Sequence, residues 1–262
     1  MDLALQDKKA FVLAASKGLG KAVALSLANE GCEVVIASSN KVNLDRAKSE
    51  IKKEAKRPVS AYVMDVRSIP SVEEVSRQIL KDHGHIDILV TNSPGPPPKA
   101  AAEIDSRLLH DALNTNLVSV VALCNIFLPS MRQKRFGRII NLASFTGREP
   151  AENMVLSNVT RAGTIAYCKT LSREIAKDGV TVNSILTGGV LTDRTLDLVR
   201  HAAKKAGITE SEALERSKEK YPVGFIATPE QFSHAVTFLA SPLSMNVNGV
   251  SLPIDGGLMR SH

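Results

Sequence analysis

Short apolar runs alternate with stretches of helical spacing along almost the whole chain, and this repeat is what most restricts its fold. Runs at 10–14, 33–37, 59–64, 86–91, 138–143 and 180–185 each give way to small, polar or glycine residues. Between them, residues 21–30, 42–56, 71–83, 106–132 and the helix from about 157 place apolar side chains three and four apart, as an amphipathic helix requires. A strand that is apolar throughout is buried on both faces, which means a parallel sheet covered by helices. Strand-helix-strand units joined in series give a doubly wound α/β fold of six or seven strands with helices on both faces. A last run at 250–254 contains Pro253, which cannot donate to a ladder and marks an edge strand.

The chain of 262 residues is 44% hydrophobic and lacks Trp, so Val, Ile, Leu and Ala must build the core. Nothing in it resembles a linker, and one domain over 1–262 is expected. Ser71 and Glu74 have capping-box spacing at the start of the third helix. Residues 191–220 are charged and helical in spacing and break the alternation; they read as a mobile substrate lid. The net charge is +6, but the cations are scattered among acids without interleaved aromatics, which argues against nucleic acid. The longest apolar run, 117–128, is interrupted and too short to span a bilayer, and the stretch before Gly18 leaves no room for a signal peptide. Cys32, Cys124 and Cys168 lack disulfide or metal spacing, and none of the six histidines is spaced as a metal ligand. A cytoplasmic protein that touches neither membrane nor nucleic acid is the expectation.

Parallel sheets bind ligands at the carboxyl ends of their strands, beside the switch point. The first run ends in Ala14-Ala15-Ser16-Lys17-Gly18-Leu19-Gly20. Glycines there let the backbone approach a pyrophosphate, and the helix N-terminus from Gly20 onward offers amide donors. The second run ends in Ser38-Ser39-Asn40, where an acid would select the ribose hydroxyl of NAD. The absence of an acid, with Lys17 nearby, favours NADP.

This loop resembles the TGxxxGxG segment of the short-chain dehydrogenase/reductase family, with Leu13 and Ala14 in place of its Thr and first Gly. Ordered matches follow through most of the chain: Asp65, Thr91-Asn92-Ser93, Asn116, Ser144 in a GRIINLAS segment, Asn183-Gly188-Thr192, Asn248-Gly249 and Asp255-Gly256-Gly257. The resemblance is strongest to 3-oxoacyl carrier-protein reductases. It implies a Rossmann-type domain, assembled as a homotetramer or dimer, that moves hydride between a nicotinamide and a small carbonyl or acyl substrate. It places the cofactor along Ala14, Ser16, Lys17, Gly18, Leu19, Gly20, Ser38, Ser39, Asn40, Asp65, Val66, Asn92, Ser93, Arg161, Gly188, Val190 and Thr192. It places catalysis at Ser144, Asn116 and the positions of Ser157 and Arg161.

Those last two depart from the family, which has a catalytic Tyr at position 157 and a Lys at 161. A Ser hydroxyl lacks the acidity of a phenol, whose reference pKa is about 10, and a charged Arg cannot pass on a proton. Losing a positioned general acid costs about 10²- to 10⁴-fold in rate. Two readings stand: a reductase with Ser144 and Asn116 retained and another proton donor, or a nucleotide-binding or scaffolding homologue that has lost hydride transfer.

Overall fold

The computed structural model describes residues 1–261. Seven parallel strands form one sheet in the order β3-β2-β1-β4-β5-β6-β7: β1 (Lys9–Leu13), β2 (Glu33–Ser38), β3 (Val59–Val63), β4 (Ile88–Thr91), β5 (Gly137–Leu142), β6 (Val180–Thr187) and β7 (Ser251–Ile254). The chain runs outward from β1 to β3, then returns to place β4 on the other side of β1. That reversal opens a crevice at the carboxyl end of β1. β7 is the edge strand, and Pro253 lies opposite Leu186 without needing to donate.

Alternation along the strands divides the core. Ala10, Val12, Val34 and Ile36 face one layer, packed under α1 (Gly18–Asn29), α2 (Lys41–Glu54) and α9 (Pro229–Ala240). Phe11, Leu13, Val35 and Ala37 face the other, under α3 (Ile69–His83), α5 (Ser119–Lys134) and α6 (Val155–Glu174). Phe11 meets Phe127 of α5 with ring centroids 5.4 Å apart. The stretch 106–134 is long and apolar enough to cross a bilayer by length and composition alone. Here it buries Val120, Leu123, Cys124, Phe127 and Met131 in the second core layer.

Several local expectations change. The first helix begins at Gly18, not Gly20, and no side chain caps it. The third begins at Ile69, capped by Ser68, because the Ser71 hydroxyl accepts the Asp65 amide instead. The expected helix over 106–132 is interrupted: α4 (Ser106–Leu113) passes into a π-turn at Asn114–Val118 before α5 begins. Residues 191–220 contain two helices, α7 (Asp193–Ala206) and α8 (Glu210–Lys218), the second with a full Thr209/Glu212 capping box. Tyr167 packs partly into the second core layer against Cys124.

Candidate active site

The carboxyl ends of β1, β4, β5 and β6 bring the expected residues to one crevice. At β1 the chain turns through Ala14 (φ 52°) and Gly18 (φ 52°), both left-handed. A side chain on Gly20 would place its Cβ 2.5 Å from the Ala14 carbonyl oxygen, so only hydrogen fits. Ala14 stands where glycine would be unstrained, and left-handed backbone costs a non-glycine residue about 1–2 kcal/mol. Ala14→Gly should therefore raise the unfolding free energy by roughly 1 kcal/mol, a Tm increase of about 2–4 °C by calorimetry. Across the crevice, Thr192 caps α7 and lies against Gly18, whose added Cβ would be 3.5 Å from the Thr192 methyl. The Asn92 amide donates to the Ala14 carbonyl at 3.5 Å. Gly188 packs against the Asp255 backbone, and Val190 is buried.

Helix α6 presents a buried stripe of Ser157, Thr160, Arg161, Thr164 and Cys168, residues three and four apart on one face. Its first turns thus point hydroxyls and a guanidinium, not hydrocarbon, at the crevice. Ser144 follows β5, and its Oγ accepts both the Thr146 amide (3.2 Å) and the Thr146 hydroxyl (3.0 Å). Thr146 Oγ1 is also 2.9 Å from Ser157 Oγ. A threonine hydroxyl has one proton; since it goes to Ser144, Ser157 must donate to Thr146. The same count leaves the Ser144 proton free to donate outward. The three hydroxyls form a directed chain, Ser157 to Thr146 to Ser144, ending at a donor on the crevice.

Arg161 is 5% exposed. Its guanidinium donates to the Leu142 carbonyl at 3.1 Å and the Ser93 carbonyl at 3.4 Å, which seats it between the ends of β5 and β4. Burial, and to a lesser degree the charge of Arg194, lowers its pKa to about 10. It remains a cation at neutral pH. Asn116 sits in the π-turn, where its Oδ1 accepts the Ser93 hydroxyl (2.9 Å) and its main-chain carbonyl accepts the Thr164 hydroxyl (2.8 Å). The loop 148–154 follows, bridged to Lys99 at Met154. Glu149 is tied to the C-terminal residues, its carboxylate accepting the Arg260 and Ser261 amides.

At the outer end, a cavity of about 280 Å³ is lined by Ser16, Lys17, Gly18, Lys21, Asn43, Arg46, Ala47, Glu50 and Asp193. Ser16 shares a hydrogen bond of 2.8 Å with Ser38, and Lys21 pairs with Glu50. Lys21, Asn43 and Arg46 went unnoticed in the sequence; only Lys17 was expected here. Three other residues expected here have partners within the chain. Asn40 caps α2 through the Asn43 amide, Asp65 is held by the Arg67 guanidinium, which lowers its pKa, and Val66 is buried in the core. Ser39 is exposed beside the cavity's rim strand, and Leu19 packs against the first core layer.

The profile of a family described as enoyl-(acyl carrier protein) reductase matches residues 13–259. The 3-oxoacyl-[acyl-carrier-protein] reductase FabG of Haemophilus influenzae is 31% identical over 98% of this chain and 100% of its own. The chain belongs to the short-chain dehydrogenase/reductase family. It is an oxidoreductase of that family. The NADPH-dependent reductase BacG of Bacillus subtilis is 30% identical over 98% of this chain and its full length. The L-sorbose reductase of Gluconobacter frateurii, solved with NADPH and L-sorbose, superposes with a TM-score of 0.96 over the whole of both chains at 26% identity. Within this short-chain reductase fold, Thr146, Lys21, Asn43, Arg46 and Arg194 are the site's unforeseen residues. Arg46 and Glu50 follow Asn43 at helical spacing, so the face of α2 toward α1 could have been found. Thr146 carried no signal before its place beside Ser157 was seen.

Proposed function

We propose that the protein is an NADPH-dependent carbonyl reductase in which Ser144 donates the proton and Asn116 supports the site. The observation that carries this is the directed hydroxyl chain, which ends in a free Ser144 donor although the family's Tyr is absent. The crevice residues fit a dinucleotide: the Gly18 turn and the bare Gly20 admit a pyrophosphate at the α1 N-terminus, and Arg161 can hold ribose hydroxyls. A nicotinamide bound there supplies the hydride. The chain's own part is to polarise the carbonyl oxygen through Ser144 and to draw a replacement proton from Thr146 and then Ser157. Any negative charge left on that chain lies one helical turn from the Arg161 cation, which stabilises it.

Preference for NADP over NAD is supported by the three cations of the outer cavity, Lys17, Lys21 and Arg46, against two acids, Glu50 and Asp193. Lys17→Ala with Arg46→Ala should weaken NADPH at least tenfold and NADH by much less, two charge-assisted contacts being worth about 1.5–3 kcal/mol each. Fluorescence titration of both nucleotides measures this; equal losses would mean that the cavity does not read the 2′-phosphate. Helices α7 and α8, read as a lid, close from β6 over the cleft of the single domain. Exposed Val118 and Val159 suit a dimer or tetramer, and the buried free thiols suit the cytoplasm.

Nicotinamide absorbance with a panel of ketones, oxo acids and acyl thioesters tests the activity itself. Tight NADPH binding with no turnover across the panel would return the non-catalytic reading, which no comparison favours.

A further inference from the structure

Arg194 stands where a helix least favours a cation. It lies in the first turn of α7, which Thr192 caps, and a positive charge there opposes the helix dipole. Among the described residues no carboxylate pairs with it; Asp193 beside it pairs with Lys17 at 4.0 Å. What holds Arg194 is backbone from across the cleft. Its Nη1 donates to the Gly95 carbonyl at 2.9 Å and its Nη2 to the Pro96 carbonyl at 3.2 Å.

The seat suits that fork. Residues 92–98 form neither helix nor strand. Pro96, Pro97 and Pro98 lack an N–H, and extended proline-rich backbone makes no internal hydrogen bonds, so its carbonyls stay open to an outside donor. The guanidinium lies so close to Gly95 that an added Cβ there would be 2.8 Å from Cζ and Nη2 and 2.9 Å from Nη1. A side chain at 95 would unseat the fork.

The same turn of α7 touches the opposite wall. The Thr192 methyl lies against Gly18 at the exit of β1, and β1 and β4 are the neighbours between which the chain reverses. The start of α7 thus spans the crevice, held to the glycine turn on one side and to residues 95–96 on the other. The charge of Arg194 also acts on Arg161, between the ends of β4 and β5, which puts the fork at the crevice and not beside it. We propose that Arg194 is a positioning residue for the dinucleotide: its fork on the Gly95 and Pro96 carbonyls holds Thr192 against the glycine turn and must let go before nucleotide enters or leaves. A latch of this kind sets exchange rates, because entry and exit both pass through the open state. The nucleotide part rests on the NADPH reading; the latch itself does not.

The test joins amide hydrogen exchange over 193–206 in the ligand-free protein to stopped-flow NADPH fluorescence. Arg194→Met keeps an unbranched side chain and removes the fork, whereas Gly95→Ala keeps the fork and blocks its seat. Each should speed exchange in α7 and NADPH dissociation by about tenfold, the worth of one bond to a charged group, and association should quicken as well. Arg194→Lys, with a point charge in place of the fork, should fall between. Both variants break the same contact, so the double variant should be no faster than either alone. Arg200→Met is the control: its guanidinium pairs with Asp197 and Glu210 inside the lid, and both readouts should stay within twofold. Exchange within twofold of wild type in Arg194→Met, a fast Arg194→Met beside an unchanged Gly95→Ala, or single effects that multiply in the double variant would overturn the proposal. So would exchange that quickens with no change in nucleotide rates. If NADPH does not bind, the nucleotide reading falls, and exchange in α7 still decides the latch.

Discussion

Thr146→Val should lower carbonyl reduction by about 10²- to 10⁴-fold, the range for loss of a positioned proton donor. The substitution keeps the shape of a fully buried side chain and removes only the hydroxyl that links Ser157 to Ser144. Ser144 then keeps its Thr146 amide bond but loses its proton supply. NADPH affinity should stay within about twofold, because the hydroxyl contacts Ser144 and Ser157 and not the glycine turn. Stability should fall by about 1–3 kcal/mol, since Ser157 is left a buried donor without an acceptor. Thr146→Ser, which restores the hydroxyl, should recover most of kcat. The readouts are kcat and KM from nicotinamide absorbance, NADPH fluorescence and Tm. An undiminished kcat in Thr146→Val would place the proton donor elsewhere.

The second large effect is expected at Gly20. An added Cβ would lie 2.5 Å from the Ala14 oxygen and 3.0 Å from the Ala14 carbonyl carbon and Ala15 Cα, all backbone atoms that cannot rotate away. Gly20→Ala should therefore cost about 1–3 kcal/mol, as overpacking does. It should also push α1 off the strand exit and weaken NADPH by at least about tenfold, because phosphate binding depends on amides held at a helix N-terminus. Gly163→Ala is the control. Its Cβ would meet only the tip of Leu117, at 3.3 Å, and helix propensity favours alanine by about 1 kcal/mol. Equal damage from the two substitutions would show that the clash at Gly20 is not the cause.

The fold was legible because its signal is repeated. Each apolar run fell on a strand within one or two residues, and Pro253 foretold the edge. What failed was local and depended on competing partners. Ser71 looked like a cap, yet its hydroxyl is claimed by the Asp65 amide, and Ser68 caps the helix instead. The Asn114–Val118 π-turn left no mark, since one extra residue per turn changes no composition. At the site, Ser144, Asn116, Ser157 and Arg161 were found by position in a motif, and all four converge. Thr146 and Arg194 were not, because the first is useful only through its two neighbours. The second matters only where α7 folds back over residues 94–96.

The tie between Glu149 and the C-terminal amides has a practical side. Residues 260 and 261 hang on the loop that leads from Ser144 to Ser157, whereas β1 starts at the amino end of the sheet, away from the crevice. Any change that pulls residues 260 and 261 away would thus tug on the loop between Ser144 and Ser157, and acidification that protonates Glu149 would loosen the same anchor.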